Sequence, residues 1–209
     1  MRAFTRLSGI AAPLPRRNVN TDDIYPNLGG AAITDPEAMG PCAFGNWRWN
    51  ADGSPRPDFI LNQPPYDRAQ ILIAGANFGC GSAREQAAWC MNAIGLRCII
   101  APSFSDIFYG NCLKNGMLPV RLSEDATDAL SAFVSDPANA TLDVDLDART
   151  VTRSDGCVAI FDISPRDRQR LLAGVDDIGA TFAIMDRIHA FAADYHHRRP
   201  WLADERGAD

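Results

Sequence analysis

The sequence lacks the clusters of cysteine and histidine that bind metal ions. Its 209 residues include six cysteines but no Cys-x-x-Cys pair, and its three histidines all lie near the C-terminus. A structural zinc site or an iron–sulfur site needs such a cluster. We therefore expect no metal ligands in this chain, and we expect most of the cysteines to be small core residues in a reducing compartment.

Long apolar runs and an excess of positive charge are also missing. No stretch approaches the roughly 20 apolar residues of a transmembrane helix. Pro13 and Pro15 interrupt the short apolar patch near the N-terminus, so no signal peptide is expected. Acidic residues outnumber basic residues by 26 to 20, and this balance opposes binding to nucleic acid. The sequence predicts a cytoplasmic protein whose few cations near a site bind a small anion.

The most informative stretch joins an apolar run, a glycine-rich turn and a helix-forming segment. Residues 71–74 suit a buried strand, three glycines follow, and the residues from Ala83 onward favour a helix. A helix that begins after such a turn exposes unpaired N–H groups at its positive end, where an anion binds well. Ser82 lies at the expected N-cap, and Arg84 falls in the first helical turn. A cation at that position is misplaced unless it binds a carboxylate or a phosphate.

The turn has other possible interpretations. In a purely structural interpretation, Ser82 merely caps the helix, and Arg84 is solvated or pairs with Glu85 or another acid. A dinucleotide-binding loop needs a glycine where Arg84 stands, and a Walker loop needs Lys-Ser or Lys-Thr after its last glycine. A nucleophile elbow needs glycines two residues before and after Ser82, where Cys80 and Arg84 stand. The three well-known glycine loops are therefore excluded.

The rest of the chain predicts an α/β fold in which a mixed sheet is flanked by helices. Apolar runs at 71–74, 98–101 and 117–120 alternate with helical spacing at 85–94 and 104–115, which is typical of parallel strands. Alternating segments at 141–146, 150–153 and 157–163 then predict an antiparallel meander. We predict one domain over residues 1–195 with a last helix at 179–195, and a tail at 196–209. Residues 27–63 are expected to form a long mobile loop with aromatic anchors rather than regular structure.

Three motifs follow one another along the chain: Asn20-Thr-Asp-Asp-Ile-Tyr-Pro26, Asn77-Phe-Gly-Cys-Gly-Ser-Ala-Arg-Glu85, and Ala101-Pro-Ser-Phe-Ser-Asp-Ile-Phe-Tyr-Gly-Asn111 with Leu118-Pro-Val120. Together they resemble the small subunits of 3-isopropylmalate dehydratases, a family that corresponds to the swivelling domain of the aconitases. The resemblance covers most of the chain, from about Phe4 to about Phe191. It implies a swivelling β/β/α domain that works with a separate large subunit, which carries a [4Fe–4S] cluster.

The resemblance also implies roles for single residues. Ser82 would be the base that removes a proton beside a substrate carboxylate, Arg84 would bind that carboxylate, and Asp22 would belong to the active site. The same turn supplies further expected substrate-binding residues, which are Asn77, Gly81 and Ala83. The implied activity is that of a hydro-lyase that interconverts 2-isopropylmalate and 3-isopropylmalate by dehydration and rehydration in leucine biosynthesis.

The sequence departs from the family pattern at three points. The family usually has a second serine where Ala83 stands and a histidine where Gln86 stands, and it often has a basic residue in the mobile loop. Residues 27–47 contain no Lys or Arg, so we expect a lid of small apolar contacts instead, made of Leu28, Ala31, Ala32, Ile33 and Met39. Two alternatives therefore stay open: a related dehydratase subunit for a methyl-substituted malate or citraconate, and a non-catalytic, anion-binding regulatory subunit.

Overall fold

The computed structural model describes residues 1–26, 35–182 and 184–202. The chain divides into two compact units, Met1–Gly174 and Val175–Asp209. The first unit contains the sheet, and the second contains short helical segments. The predicted extent of the domain, residues 1–195 with a tail at 196–209, stays a prediction.

The first unit is built on a seven-stranded mixed sheet with the strand order β4-β3-β2-β1-β5-β6-β7. The strands are β1 (Arg6–Leu14), β2 (Ile71–Ala74), β3 (Cys98–Ala101), β4 (Leu118–Arg121), β5 (Thr141–Asp145), β6 (Thr150–Arg153) and β7 (Val158–Ile160). Strands β1 to β4 run parallel to one another, whereas β5 to β7 form an antiparallel meander. Strand β1 joins the two halves, because it pairs in parallel with β2 and antiparallel with β5.

Helices follow β2, β3 and β4 as the sequence predicts, whereas the two short helices at 21–24 and 45–48 were not predicted. The helices are α1 (Thr21–Ile24), α2 (Gly45–Arg48), α3 (Gln86–Ala93), α4 (Asp106–Lys114), α5 (Glu124–Val134), α6 (Pro165–Ala173), α7 (Asp177–Phe182) and α8 (Met185–Arg198). The expectation of one continuous helix from residue 179 to residue 195 was wrong. The chain makes a turn between α7 and α8, where the Ile184 N–H donates to the Thr181 carbonyl at 3.1 Å.

Strands β2 and β3 are buried on both faces, which explains their continuous apolar sequences. Leu72 and Ala74 face one hydrophobic cluster, which includes α3 residues such as Met91. Ile71 and Ile73 face a second cluster on the other side, which includes Leu130 of α5. Neighbouring residues in a strand point to opposite faces, so four consecutive apolar residues contribute to two cores.

Residues 35–63 are more regular than the sequence predicts. They contain the 3₁₀ helices Pro36–Cys42 and Ile60–Asn62 as well as α2, so the expectation of a stretch without regular structure was wrong for this part. The rings of Phe44 and Phe59 are buried with their centroids 5.8 Å apart, which explains the regularity, because an aromatic core anchors the short helices. The remainder of the predicted loop, residues 27–34, lies outside the described residues.

Candidate active site

The glycine-rich turn leaves the end of β2 and is fastened to two neighbouring loops. The Gly79 N–H donates to the Val19 carbonyl at 2.7 Å, and the Phe78 N–H donates to the Ser103 carbonyl at 3.0 Å. Gly79 has a φ of +73°, and a Cβ there would lie 2.1 Å from Cγ of Phe108. Only glycine combines that backbone conformation with so close an approach.

Helix α3 begins later than the sequence predicts. Its first residue is Gln86 and its N-cap residue is Glu85, so Ser82 does not cap it and Arg84 does not lie in its first turn. Both expectations were wrong because the Ser82 carbonyl does not accept a hydrogen bond from a helical N–H group of α3. It accepts a hydrogen bond from Oγ1 of Thr21 at 2.8 Å and another from the Arg84 N–H at 2.8 Å. These contacts hold residues 81–84 in an irregular turn.

This irregular turn still offers unpaired donors. In the described part of the chain, the N–H groups of Ser82, Ala83 and Glu85 donate to no acceptor. The Ser82 hydroxyl likewise has no hydrogen-bond partner among the described residues, and Gly81, Ser82 and Ala83 are exposed. An exposed turn with several free N–H groups is a place where an anion can bind.

The Asp22 segment forms the opposite side of the site. Asn20 and Asp23 form a capping box, in which Oδ1 of Asn20 accepts from the Asp23 N–H at 2.8 Å. The Thr21 N–H donates to the Cys80 carbonyl at 2.8 Å. This backbone contact and the Thr21 hydroxyl together attach the one-turn helix α1 to the glycine turn. The capping box turns Asp22 outward, and its side chain is 58% exposed.

Arg84 and Asp22 are brought together by this arrangement. Nη1 of Arg84 lies 2.9 Å from Oδ1 of Asp22, and the Arg84 side chain is 36% exposed. An ion pair this exposed adds only about 0–1 kcal/mol of stability. Its main effect is to orient the planar guanidinium, which has five N–H donors and keeps others for a ligand. The sequence left open that Arg84 pairs with Glu85 or another acid, and the acid in the structure is Asp22.

Asn77 contributes to the same region in a different way. Its Nδ2 donates to Oδ1 of Asn18 at 2.9 Å, and its backbone N–H donates to Oγ of Ser103 at 2.8 Å. Both asparagines have positive φ angles, +60° for Asn77 and +56° for Asn18. The amide pair therefore links the two loops that carry Asp22 and Ser82. A substrate contact of Asn77 stays a prediction.

Two residues that position the site were not found from the sequence. Thr21 is 1% exposed and connects α1 to the glycine turn, and Ser103 supplies the hydroxyl that receives the Asn77 N–H. Thr21 belongs to the first of the three sequence motifs, and Ser103 belongs to the third. A hydroxyl between other motif residues was the available signal, but its partner depends on contacts between distant parts of the chain.

The cysteines do not converge on one point. Burial raises the pKa of the Cys90 thiol to about 12 and also raises the pKa of the Cys98 and Cys112 thiols, which keeps all three protonated. Among the described residues, no group of three or more His, Cys, Asp or Glu side chains is placed to hold a metal ion. The described residues therefore offer no ligand set for an iron–sulfur cluster. No described helix is long and apolar enough to cross a membrane.

Comparisons with known proteins first define the class. A family model described as the Aconitase C-terminal domain matches residues 1–125. The crystal structure of a 3-isopropylmalate dehydratase from Methanocaldococcus jannaschii superposes with a TM-score of 0.62 at 21% identity, and it covers 91% of this chain and 99% of that chain. This similarity confirms the predicted α/β fold with its mixed sheet. The chain has the fold of an aconitase C-terminal domain.

More similar sequences then define the family. The 3-isopropylmalate dehydratase small subunit of Roseobacter denitrificans is 46% identical over 202 residues, which cover 97% of this chain and 100% of that protein. The protein with the same name from Brucella canis is 46% identical over 201 residues, which cover 96% and 100%. This chain belongs to the family of 3-isopropylmalate dehydratase small subunits.

Proposed function

We propose that this chain is the small subunit of a cytoplasmic hydro-lyase that interconverts 2-isopropylmalate and 3-isopropylmalate by dehydration and rehydration, as a step of leucine biosynthesis. The observation that carries the proposal is the Arg84–Asp22 pair, which lies on an exposed turn with the free Ser82 hydroxyl. Full-length similarity to small subunits of that name supports the substrate. A methyl-substituted malate or a purely regulatory role has less support.

Arg84 binds a carboxylate of the substrate in this proposal. Asp22 engages one edge of the guanidinium, and the remaining N–H donors match the two oxygens of a carboxylate. Neutralising that carboxylate also lets it accept charge from the carbanion that forms on the adjacent carbon. One guanidinium therefore lowers the barrier both by binding the substrate and by stabilising the transition state.

Ser82 takes the proton from that carbon. A serine hydroxyl is a poor base in water, so its alkoxide needs nearby donors and a positive charge. The unpaired N–H groups of Ala83 and Glu85 and the guanidinium of Arg84 are the candidates in this chain. These donors come from the irregular turn and not from the first turn of α3, which begins only at Gln86.

A large subunit completes the enzyme in this proposal, and it holds the [4Fe–4S] cluster. A cluster iron supplies Lewis-acid chemistry, which lets a hydroxyl group leave. The described residues of this chain have no ligand set for such a cluster, so we assign the cluster to the partner. This chain supplies the base, Ser82, and the carboxylate clamp, which is the guanidinium of Arg84.

The test is reconstitution with the large subunit encoded in the same genome. Ser82→Ala should lower kcat about 10²- to 10⁴-fold with little change in KM, because a base acts mainly in the transition state. Ser154→Ala is the matched control, since Ser154 lies in an exposed turn between β6 and β7. A near wild-type rate for Ser82→Ala would show that Ser82 is not the base.

Arg84 is tested in the same assay. Arg84→Lys should raise KM and lower kcat, because a point charge replaces a planar, two-pronged donor. Arg121→Lys is the control, since Arg121 forms an exposed ion pair with Asp106 at 3.7 Å in another part of the sheet. Equal kinetic losses in the two variants would contradict the assigned carboxylate contact.

A panel of substrates tests the assigned substrate. We expect the highest kcat/KM for 3-isopropylmalate, followed by 2,3-dimethylmalate and 2-methylmalate, with citrate last. Residues 27–47 contain no Lys or Arg to receive a third carboxylate. Arg48 is held by Oδ1 of Asn62 at 3.1 Å and lies over the Trp49 ring, so it is occupied within its own segment. A preference for a methylated malate would favour the related dehydratase.

One sequence-based expectation about this specificity was wrong. Met39 was expected to line an apolar lid over the substrate together with four residues of the preceding segment. Met39 is 0% exposed and packs into the hydrophobic core with Phe44, so it is not available for a ligand. The other expected lid residues, Leu28, Ala31, Ala32 and Ile33, lie outside the described residues.

A further inference from the structure

Glu85 stands directly beside the proposed carboxylate clamp. A carboxylate next to Arg84 in the sequence could occupy the guanidinium and compete with the substrate. Neighbouring side chains of this kind do meet in this protein, since Nε of Arg68 lies 3.9 Å from Oδ1 of Asp67. The structure nevertheless shows Arg84 paired with Asp22 and not with Glu85, so another group must hold the Glu85 carboxylate.

Asn115 binds the Glu85 carboxylate. Nδ2 of Asn115 donates to Oε1 of Glu85 at 3.0 Å. The same Nδ2 donates its second hydrogen to the main-chain carbonyl of Asn111 at 2.8 Å. The main-chain carbonyl of Asn115 accepts from Nδ2 of Asn92 at 3.3 Å. The bond to the Asn111 carbonyl thus orients the Asn115 amide, whereas Asn92 contacts only the main chain of Asn115.

The position of Asn115 explains why an amide is needed there. Asn115 is the C-cap residue of α4, where the free carbonyl groups of the helix carry a partial negative charge. A carboxylate that approaches this end is repelled unless a donor lies between. The two hydrogens of one NH₂ group serve the helix end and the carboxylate together, which neither an aspartate nor an alanine can do.

We infer that Asn115 is a positioning residue, which keeps the Glu85 carboxylate away from Arg84 so that the guanidinium stays available to the substrate. This inference rests on the proposed function of Arg84. Without the Asn115 amide, Glu85 spends part of its time paired with Arg84. The apparent affinity for the substrate then falls in proportion to the fraction of molecules in which Arg84 is free of Glu85. Substrate that has bound reacts at the normal rate.

The kinetic test uses the reconstituted holoenzyme. Asn115→Ala and Asn115→Asp should raise KM about threefold to fivefold, the size expected for a partly exposed ion pair, with kcat within about twofold. Adding Glu85→Gln to Asn115→Ala should bring KM back to within about twofold of wild type, because the competing charge is gone. A purely structural defect would not be rescued by a change at Glu85.

Asn92→Ala is the matched control. It removes the hydrogen bond to the Asn115 carbonyl but leaves the bond from Asn115 to Glu85 in place. Its KM should therefore match that of wild type. An unchanged KM in Asn115→Ala, or a raised KM that persists in the double variant, would overturn the inference.

A structure of the full chain with Asn115→Ala gives a readout that does not depend on turnover. The Glu85 carboxylate should lie within about 4 Å of the Arg84 guanidinium, the limit for an ion pair. A Glu85 side chain that stays beside residue 115 would overturn the inference. If Ser82→Ala and Arg84→Lys leave the holoenzyme unchanged, the proposed function fails instead, whatever conformation Glu85 adopts.

Discussion

The two halves of the sheet differ in how far their side chains are buried. In the parallel half, every residue of β2 and β3 is buried. In the antiparallel half, β5 alternates between outward and buried positions, and β7 exposes Val158 and Ile160. The loops that form the candidate site follow β1, β2 and β3, at the carboxyl ends of parallel strands. The site therefore rests on the half of the sheet that has a hydrophobic core on both faces.

This difference indicates where the protein tolerates change. A functional turn needs a rigid support, and strands that are covered on both faces provide it. The antiparallel half has one covered face and can vary on the other. Matched substitutions in the two halves measure this contrast directly.

The largest expected effect concerns one glycine from each half. Gly79→Ala should lower the free energy of unfolding by about 3–5 kcal/mol, because a methyl group would collide with Phe108 at a positive φ. Gly156→Ala should cost only about 1–2 kcal/mol, since its φ is also positive but no atom lies within 4 Å of the added carbon. Urea denaturation measures both values. Equal losses would show that the backbone angle matters and the close contact does not.

A smaller effect is expected for one isoleucine from each half. Ile73→Ala should lower the free energy of unfolding by about 3 kcal/mol, because Ile73 is 0% exposed and leaves a cavity. Ile160→Ala should change it by less than about 0.5 kcal/mol, because Ile160 is 72% exposed. Thermal and urea unfolding of the two variants provide the comparison. A large loss at Ile160 would mean that the exposed edge has a stabilising contact in solution.

The smallest perturbation is thiol modification, which compares the exposure of single cysteines. At pH 8, iodoacetamide should label Cys157, which is exposed, and should not label Cys98 or Cys112 in the folded protein. Burial raises the pKa of these two thiols, so they carry almost no reactive thiolate at this pH. Mass spectrometry with and without urea identifies the labelled residues. Equal labelling of Cys98 and Cys157 without urea would contradict the difference in burial.

Part of this fold could be predicted from the sequence. The bounds of β2, β3 and β6 agree with the prediction, because short apolar or alternating runs between turn residues define strands well. The start of α3 was missed because the Ser82 carbonyl is occupied by a hydroxyl from Thr21, which is distant in the sequence. Local patterns contain no information about such a donor.

The candidate site was predictable in its members but not in its contacts. Asp22, Ser82 and Arg84 were named from motifs, and the structure places Asp22 against Arg84. From the sequence alone, the partner of Arg84 could be Glu85 or another acid. The choice depends on Asn115, whose amide reaches Glu85 only after α4 has packed against α3.

The double pairing of β1 has a consequence for synthesis on the ribosome. Its parallel partner β2 and its antiparallel partner β5 are both far along the chain, and Arg6 is paired with Asp145. Contacts between such distant residues form slowly, and the first strand emerges long before its second partner. A nascent chain that stops after β4 exposes one edge of β1, and an open strand edge favours aggregation. The antiparallel edge of β1 can therefore be covered only after residues 141–145 have left the ribosome.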